Sequence, residues 1–306
     1  MSLKDIKLKI KSVDRTRKVT KAMEAVSAVK MRKSQVRALT GRPYARAALS
    51  ILSRLAPSLS TVKHPLTQAR PVRRAALVVV TSDKGLCGVL NAAVIKEAAR
   101  LADSLQLTVN SIDIYAYGRK GAEYFDRRSY PLKSRFDNVS DDVSIDDLEV
   151  VARSLTAGFM ERAYDRVDIV FTNFKSTFEQ KALSHQVLPL ALSTIEEMVA
   201  GITPDKGAMS DIGSHSSAPA AYTVEPEPEE VLNTLLPRLA SVVLYHSLLE
   251  SKASEHSARM VAMKNASDKS RDLSKALTRK FNKARQAAIT REVSEIVGGI
   301  EAMATA

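Results

Sequence analysis

Toward the end of the chain, apolar and small positions recur in alternating steps of three and four residues. They are Leu232, Leu235, Leu239, Val242, His246, Leu249, Ala253, His256, Met260 and Met263. That alternation is the seam of a left-handed coiled coil, and His246 and His256 fit it as polar spacers. Beyond Met263 the seam turns small and polar at Ser267, Ser270 and Ser274, then apolar again at Leu277 and Phe281. Leu3, Ile6, Ile10 and Val13 repeat the spacing at the start of the chain. From there the apolar stripe is expected to slip phase to Val19, Met23, Val26 and Val29, amid Ala22, Ala25 and Ala28. Neither helix can bury its stripe alone. Since the chain leaves by one and returns by the other, the pattern predicts an antiparallel pair.

Helix breakers bound these segments. No Gly or Pro occurs in residues 1–40, nor from Arg238 to Val297. Both windows are rich in residues that lose little on entering a helix, and at 1.5 Å per residue they would make rods of roughly 60 and 90 Å. Ser2 with Asp5 reads as a capping box. Gly41 and Pro43 should interrupt the first rod, which resumes over 44–55. Pro226, Pro228, Glu229 and Glu230 announce the second, and Gly298-Gly299 should stop it.

The middle of the chain alternates differently. Pro57, Pro65 and Pro71 mark a linker. Ala75–Thr81 then reads as a buried strand, followed by a helix over about 86–104 and a second strand at Ile112–Tyr117. An amphipathic helix carries Leu148, Val151, Leu155 and Phe159 behind Asp146 and Asp147; Val167–Thr172 is a further strand and Leu183–Leu190 a fourth. Strands alternating with helices predict an α/β domain with a mainly parallel sheet. Residues 201–221, rich in Gly, Ser, Pro and Ala, read as a mobile loop.

Composition assigns the two kinds of structure different surfaces. The net charge is +12, yet residues 1–46 hold 14 Lys/Arg against three acids, and residues 251–306 hold 11 against six. The remainder is net acidic and carries most of the aromatics; 12 of 15 lie between Tyr115 and Tyr222. A single cysteine, Cys87, excludes an intrachain disulfide framework and any multi-cysteine zinc site. The longest run free of Asp, Glu, Lys and Arg, Ala182 to Ile195, is shorter than the ~18–20 residues needed to cross a bilayer. No apolar signal core follows Met1, so a soluble, intracellular protein is expected.

Candidate chemistry is sparse. Thr81-Ser82-Asp83-Lys84-Gly85-Leu86-Cys87-Gly88-Val89-Leu90-Asn91 joins a strand to a helix, where α/β proteins hold phosphates. Gly85 and Gly88 lack both the P-loop and the dinucleotide spacing, so a structural turn is the better reading. The five histidines show no metal spacing, and Asp141-Asp142 and Asp146-Asp147 read as solvated loop and cap residues. No catalytic, cofactor-binding or metal-ligating residue is nominated. The basic ends raise an alternative, a coiled-coil nucleic-acid-binding protein. Those ends carry only Tyr44 and Phe281 for stacking, so an acidic protein partner explains the charge equally well.

Three separated stretches decide between these. One runs from Ile10 through Lys33 and includes Lys-Ala-Met-Glu-Ala-Val-Ser-Ala-Val-Lys. The second is the Ser82–Asn91 segment. The third comprises Glu255-His-Ser-Ala-Arg-Met-Val-Ala-Met-Lys and Asn282-Lys-Ala-Arg-Gln-Ala-Ala-Ile-Thr-Arg-Glu-Val-Ser-Glu-Ile-Val-Gly-Gly. Together, in this order, they resemble the gamma-subunit family of the F-type ATP synthase over essentially the whole chain. Ile300 departs from the family's usual Ala after the second glycine.

The resemblance implies an α/β fold plus a long antiparallel coiled coil, with N- and C-terminal helices paired around a central Rossmann-like domain. It divides the chain into residues 1–56, 57–222 and 223–306. It implies a non-catalytic rotor shaft that couples proton-driven rotation of a membrane c-ring to conformational cycling of catalytic beta subunits. The implied partners are the alpha and beta subunits of the ATPase ring, the epsilon subunit and the c-ring, with no nucleic acid and no membrane span of its own. The implied location is peripheral, on the cytoplasmic face of the bacterial inner membrane. Carried over by position, Arg285, Gln286 and Thr290 would touch the beta-subunit sleeve, and Arg259, Glu292 and Glu295 would belong to the same coupling network. Met23, with Lys21 and Lys30, would face the lower part of the beta subunits.

Overall fold

A computed structural model describes residues 2–61, 64–190 and 228–304. Helix α1 spans Leu3–Thr61, and a sheet domain follows. Its elements are β1 (Ala75–Val80), α2 (Leu90–Ser104), β2 (Ile112–Tyr117), α3 (Arg119–Asp126), β3 (Leu132–Phe136), α4 (Ile145–Met160), β4 (Arg166–Phe174) and β5 (Gln180–Leu188). Helix α5 spans Pro228–Ala304. The loop expected at 201–221 lies outside the described residues. Ala28–Arg259 forms one compact unit, and Met1–Ser27 with Met260–Ala306 the other.

In the larger unit the strand order is β3-β2-β1-β4-β5. β1 pairs in parallel with β2 and β4, β2 in parallel with β3, and β5 runs antiparallel along β4. β1 and β2 are buried at every position; β1 is an unbroken apolar run, as a strand covered on both faces requires, while β2 buries Asp113, which accepts from the Tyr164 hydroxyl at 3.0 Å. Leu77, Val79, Ile114 and Val170 on one face pack with Val94 and Ala98 of α2 and Phe125 of α3. Ala76, Val78, Tyr115 and Ile169 on the other pack with Leu148, Leu155 and Phe159 of α4. The same cluster takes in Leu232, Leu236, Leu239, Val243, Leu244 and Leu248 of α5, so the first part of that helix is a covering layer of the sheet.

Short elements account for what the pattern missed. α3 has eight residues and β3 is a half-exposed edge strand reading Leu-Lys-Ser-Arg-Phe, too polar to announce itself. The turn into α3 demands glycine: Gly118 sits at φ +91, and a Cβ there would lie 2.1 Å from the Thr81 carbonyl oxygen. α2 starts at Leu90 rather than about 86, because Leu86 and Gly88 both adopt positive φ. β5 ends at Leu188 rather than Leu190 and begins at Gln180.

The helix boundaries also need correcting. α1 runs through Gly41, Pro43 and Pro57 to Thr61, and α5 through Gly298-Gly299 to Ala304. A proline deletes one backbone bond and a glycine adds entropy cost; neither ends helices of 59 and 77 residues. At the start of α1 the capping box is present: the Asp5 N–H donates to Ser2 Oγ at 3.2 Å, and the Ser2 N–H to Asp5 Oδ2 at 3.0 Å.

In the smaller unit one helix leads out and the other leads back, so the pair is antiparallel. The expected seam positions of α5 there, Met263, Ser267, Ser270, Ser274, Leu277 and Phe281, are all buried or half-buried. On α1 the expected phase slip does not occur. Ile6, Ile10, Val13, Arg17, Thr20, Glu24 and Ser27 form a covered stripe in strict steps of four and three, and of the expected slipped positions only Met23 is half-buried beside it. Val19, Val26 and Val29 face outward, Val29 being 71% exposed. Thr20 tolerates burial because its hydroxyl bonds to the Thr16 and Arg17 carbonyls within its own helix. Helix geometry, rather than apolarity, fixes the seam, and Ser274 closes it by donating to Asp14 at 2.9 Å.

Candidate functional site

The segment after β1 looked most like a phosphate loop, but its polar groups are spent internally. The Ser82 N–H donates to Asn91 Oδ1 at 2.9 Å and the Ser82 hydroxyl to the Lys84 carbonyl at 2.5 Å. Asn91 Nδ2 donates to Ser82 Oγ and to the sulfur of Cys87, which is buried. The loop's outward carbonyls, of Lys84 and Gly85, are taken by the Arg259 guanidinium of α5 at 3.3 Å, while Glu255 holds the same guanidinium at 2.7 Å. In doubly wound sheets this position, beside the strand where the order reverses, is where ligands bind. Here a helix of the chain itself occupies it.

α5 grips the sheet again at β4. The last β1–β4 pair is Val79 with Val170, so Thr172 extends past the end of β1. Ser251 Oγ accepts from the Thr172 N–H at 3.0 Å, and the Ser254 hydroxyl donates to the Thr172 carbonyl at 3.2 Å. Two serines thus stand in for the missing strand, which satisfies backbone groups that would otherwise be buried and unpaired. Nearby, Asn173 donates to Glu250 at 2.8 Å and Ser257 to the Thr177 carbonyl at 2.7 Å.

A third set of bonds converges on the segment before α4. His256 Nε2 donates to Asp141 Oδ1 at 2.9 Å, Lys30 to Asp141 Oδ2 at 2.8 Å, and Lys252 to the Val139 carbonyl at 2.8 Å. Asp142 pairs with Lys33 at 3.2 Å and with Arg37. The hydrogen bond from His256, with Lys30 adding to it against the cost of burial, holds the Asp141 carboxyl far below the usual carboxylate range. Asp147 is occupied as the partner of Ser144 in the capping box of α4.

The residues singled out from sequence fall in different settings. Arg285, Gln286, Thr290, Glu292 and Glu295 all lie exposed along one stretch of α5. There the described apolar positions Ile289, Val293, Ile296, Val297, Ile300 and Met303 are about half exposed or more. The covered seam stops at Ala288; beyond it every described side chain of α5 is exposed. Met23 is half-buried, and Lys21 is exposed and pairs with Glu24 at 3.0 Å. Lys30 and Arg259 are engaged within the larger unit, with Asp141 and with the 84–85 turn. Sequence reasoning passed over Asp141, Ser251 and Ser254. Their only signals were an acidic pair that looked like a solvated loop and serines that looked like helix surface.

The sequence model of a family described as ATP synthase matches residues 2–303. The chain is 37% identical over 302 residues to an ATP synthase gamma chain of Heliobacterium modesticaldum, covering 98% of this chain and 99% of that one. It is 40% identical over 308 residues to an ATP synthase gamma chain of Parafrankia sp., covering 99% and 98%. Among solved structures, a chain of the central stalk and c-ring of the Tetrahymena thermophila mitochondrial ATP synthase is similar at 26% identity. Its TM-score is 0.58, with 81% of this chain and 99% of that chain covered. A chain of the Euglena gracilis mitochondrial ATP synthase shares the fold at 17% identity and TM-score 0.66, over 98% of this chain and 94% of that one.

Proposed function

The chain belongs to the ATP synthase gamma family, and on that premise we propose how its parts serve as the central rotor shaft. The exposed end of α5 turns inside the ring of alpha and beta subunits. The α/β domain meets the epsilon subunit and the c-ring. Proton flow through the c-ring drives the shaft, and ATP hydrolysis drives the reverse. The chain itself performs no bond chemistry. No helix among the described residues is long and apolar enough to cross a membrane, and the proposed place is peripheral, on the cytoplasmic face of the bacterial inner membrane. The division into 1–56, 57–222 and 223–306 follows these roles.

The observation that carries this reading is the bare apolar end of α5. Each shaft orientation must favour one conformation of a neighbouring subunit over another. Inverting a 1:99 population takes about 5.5 kcal/mol, more than an exposed ion pair worth up to ~1 kcal/mol can supply. Ile289, Val293, Ile296, Val297, Ile300 and Met303, about half exposed or more, each contribute about 1 kcal/mol or more on full burial, and together more than that inversion requires. Apolar area then supplies the energy, while Arg285, Gln286, Thr290, Glu292 and Glu295 make one face differ from the next. Arg259 acts from inside the larger unit, and Lys21, Met23 and Lys30 present α1 to the lower beta subunits.

The test is Met23→Lys in the assembled complex. A charge placed beside the half-buried seam should lower proton pumping per ATP hydrolysed in membrane vesicles while hydrolysis continues. Wild-type pumping per ATP would remove Met23 from the interface.

A further inference from the structure

Viewed down its axis, α5 is held from two opposite sides over residues 250–259. At roughly 100° per residue, Glu250, Ser251, Ser254 and Ser257 project from one half of the helix, and Lys252, His256 and Arg259 from the other. The first group bonds Asn173, Thr172 and Thr177 at the end of β4 and in the turn beyond it. The second bonds Val139, Asp141 and the Lys84-Gly85 turn. All seven side chains are buried, Ser254 and Ser257 completely. Just upstream, from Leu232 to Leu248, the helix meets the sheet mainly through leucine, valine and alanine.

We infer that residues 250–259 of α5, clamped between the end of β4 and the Val139–Asp141 segment, are the torsional joint that stops the α/β domain turning about the helix. This rests on the rotor reading and names the residues that carry the load within it. The upstream contacts resist rotation by packing alone, since apolar attraction has no preferred direction of its own. Hydrogen bonds resist it strongly. At a side-chain radius of about 5 Å, a turn of about 30° moves a donor by about 2.6 Å, enough to break a bond of ordinary length. Bonds on one side alone would let the helix roll away from them. Bonds on opposite sides oppose torque in both senses, as synthesis and hydrolysis require. The serine pair is suited to this because Thr172 offers a backbone N–H and carbonyl, which cannot swing aside as a side chain can.

The test uses the complete complex in vesicles, with Ser251→Ala and Ser254→Ala removing anchors on one side and Asp141→Asn with His256→Leu removing one on the other. With about half of the polar anchors gone, the four-fold variant should hydrolyse ATP within about twofold of wild type while pumping per ATP falls about threefold. In single complexes whose ring is locked with a nucleotide analogue, the angular variance of a probe on the α/β domain should rise about twofold. An unchanged variance in an assembled variant overturns the joint, whatever pumping does. If the four-fold variant does not assemble, Ser251→Ala with Ser254→Ala decides the matter by the same variance. A wild-type chain that fails to join the alpha and beta subunits would instead defeat the rotor reading on which the joint rests.

Discussion

One helix, α5, contains two stretches that resemble each other in sequence and differ in surroundings. From Leu239 to Arg259 every residue is buried except Val242, Tyr245, Glu255 and Ala258, which are half-buried. From Lys264 to Met303 only Ser267 and Leu277 are buried among the described side chains. Both stretches carry the same three-four alternation, and both are rich in Ala and Ser. A heptad pattern therefore says which line of a helix meets its neighbour, and nothing of how many neighbours there are. In the first stretch the sheet, α4 and the loops surround the helix, and even its serines, lysine and arginine are enclosed and bonded. In the second a single seam is covered, and the rest stays open.

The sharpest way to break that comparison is to cut the same side chain in both stretches. Leu248→Ala lies in the enclosed stretch and should cost about 2–5 kcal/mol; Leu277→Ala, on the narrow seam, should fall at the low end of that range. Urea denaturation of the two variants measures the difference, and equal losses would mean that the two stretches are equally well packed.

Acid should separate the two regions next. The Asp141 carboxyl is held low by His256 and Lys30 in the larger unit, so its contribution is fully present above the ordinary value of 3.8. That contribution is lost as pH falls through the lower folded value. The urea midpoint of wild type should therefore drop more steeply below pH 3.8 than that of Asp141→Asn. Parallel curves would show that the pair contributes nothing to stability.

The smallest effect on stability is expected at the open end. Val293→Ser should change the unfolding free energy by no more than about 0.5 kcal/mol, because Val293 is half exposed. It should still reduce pumping per ATP in the complex, since apolar area there is proposed to act on the ring. A large loss of stability would mean that the tip is packed within the chain.

Much of this was legible in the residues. β1 and β2 announced themselves because strands buried on both faces are mostly apolar, Asp113 being the one charge between them. The capping box of α1 and the seam of α5 followed from side-chain chemistry and helix period alone. Other features were hidden because their signals are weak or ambiguous. β3 needs few apolar residues at an edge, and Val19, Val26 and Val29 form an apolar line that points away from the seam.

The sequence by itself determined where α1 and α5 would lie, that they would pair, where the charge would collect and which family the chain resembles. Each of these depends on neighbours along the chain or on a period that repeats every few residues. Only the tertiary structure decided that α5 first covers a sheet and then fills the place where such sheets hold ligands. It alone paired Asp141 with His256 and Thr172 with two serines, across 115 and about 80 positions of chain. Hydrogen bonds of that kind leave no periodic trace, since each requires only one polar side chain brought to within about 3 Å of its partner by the fold.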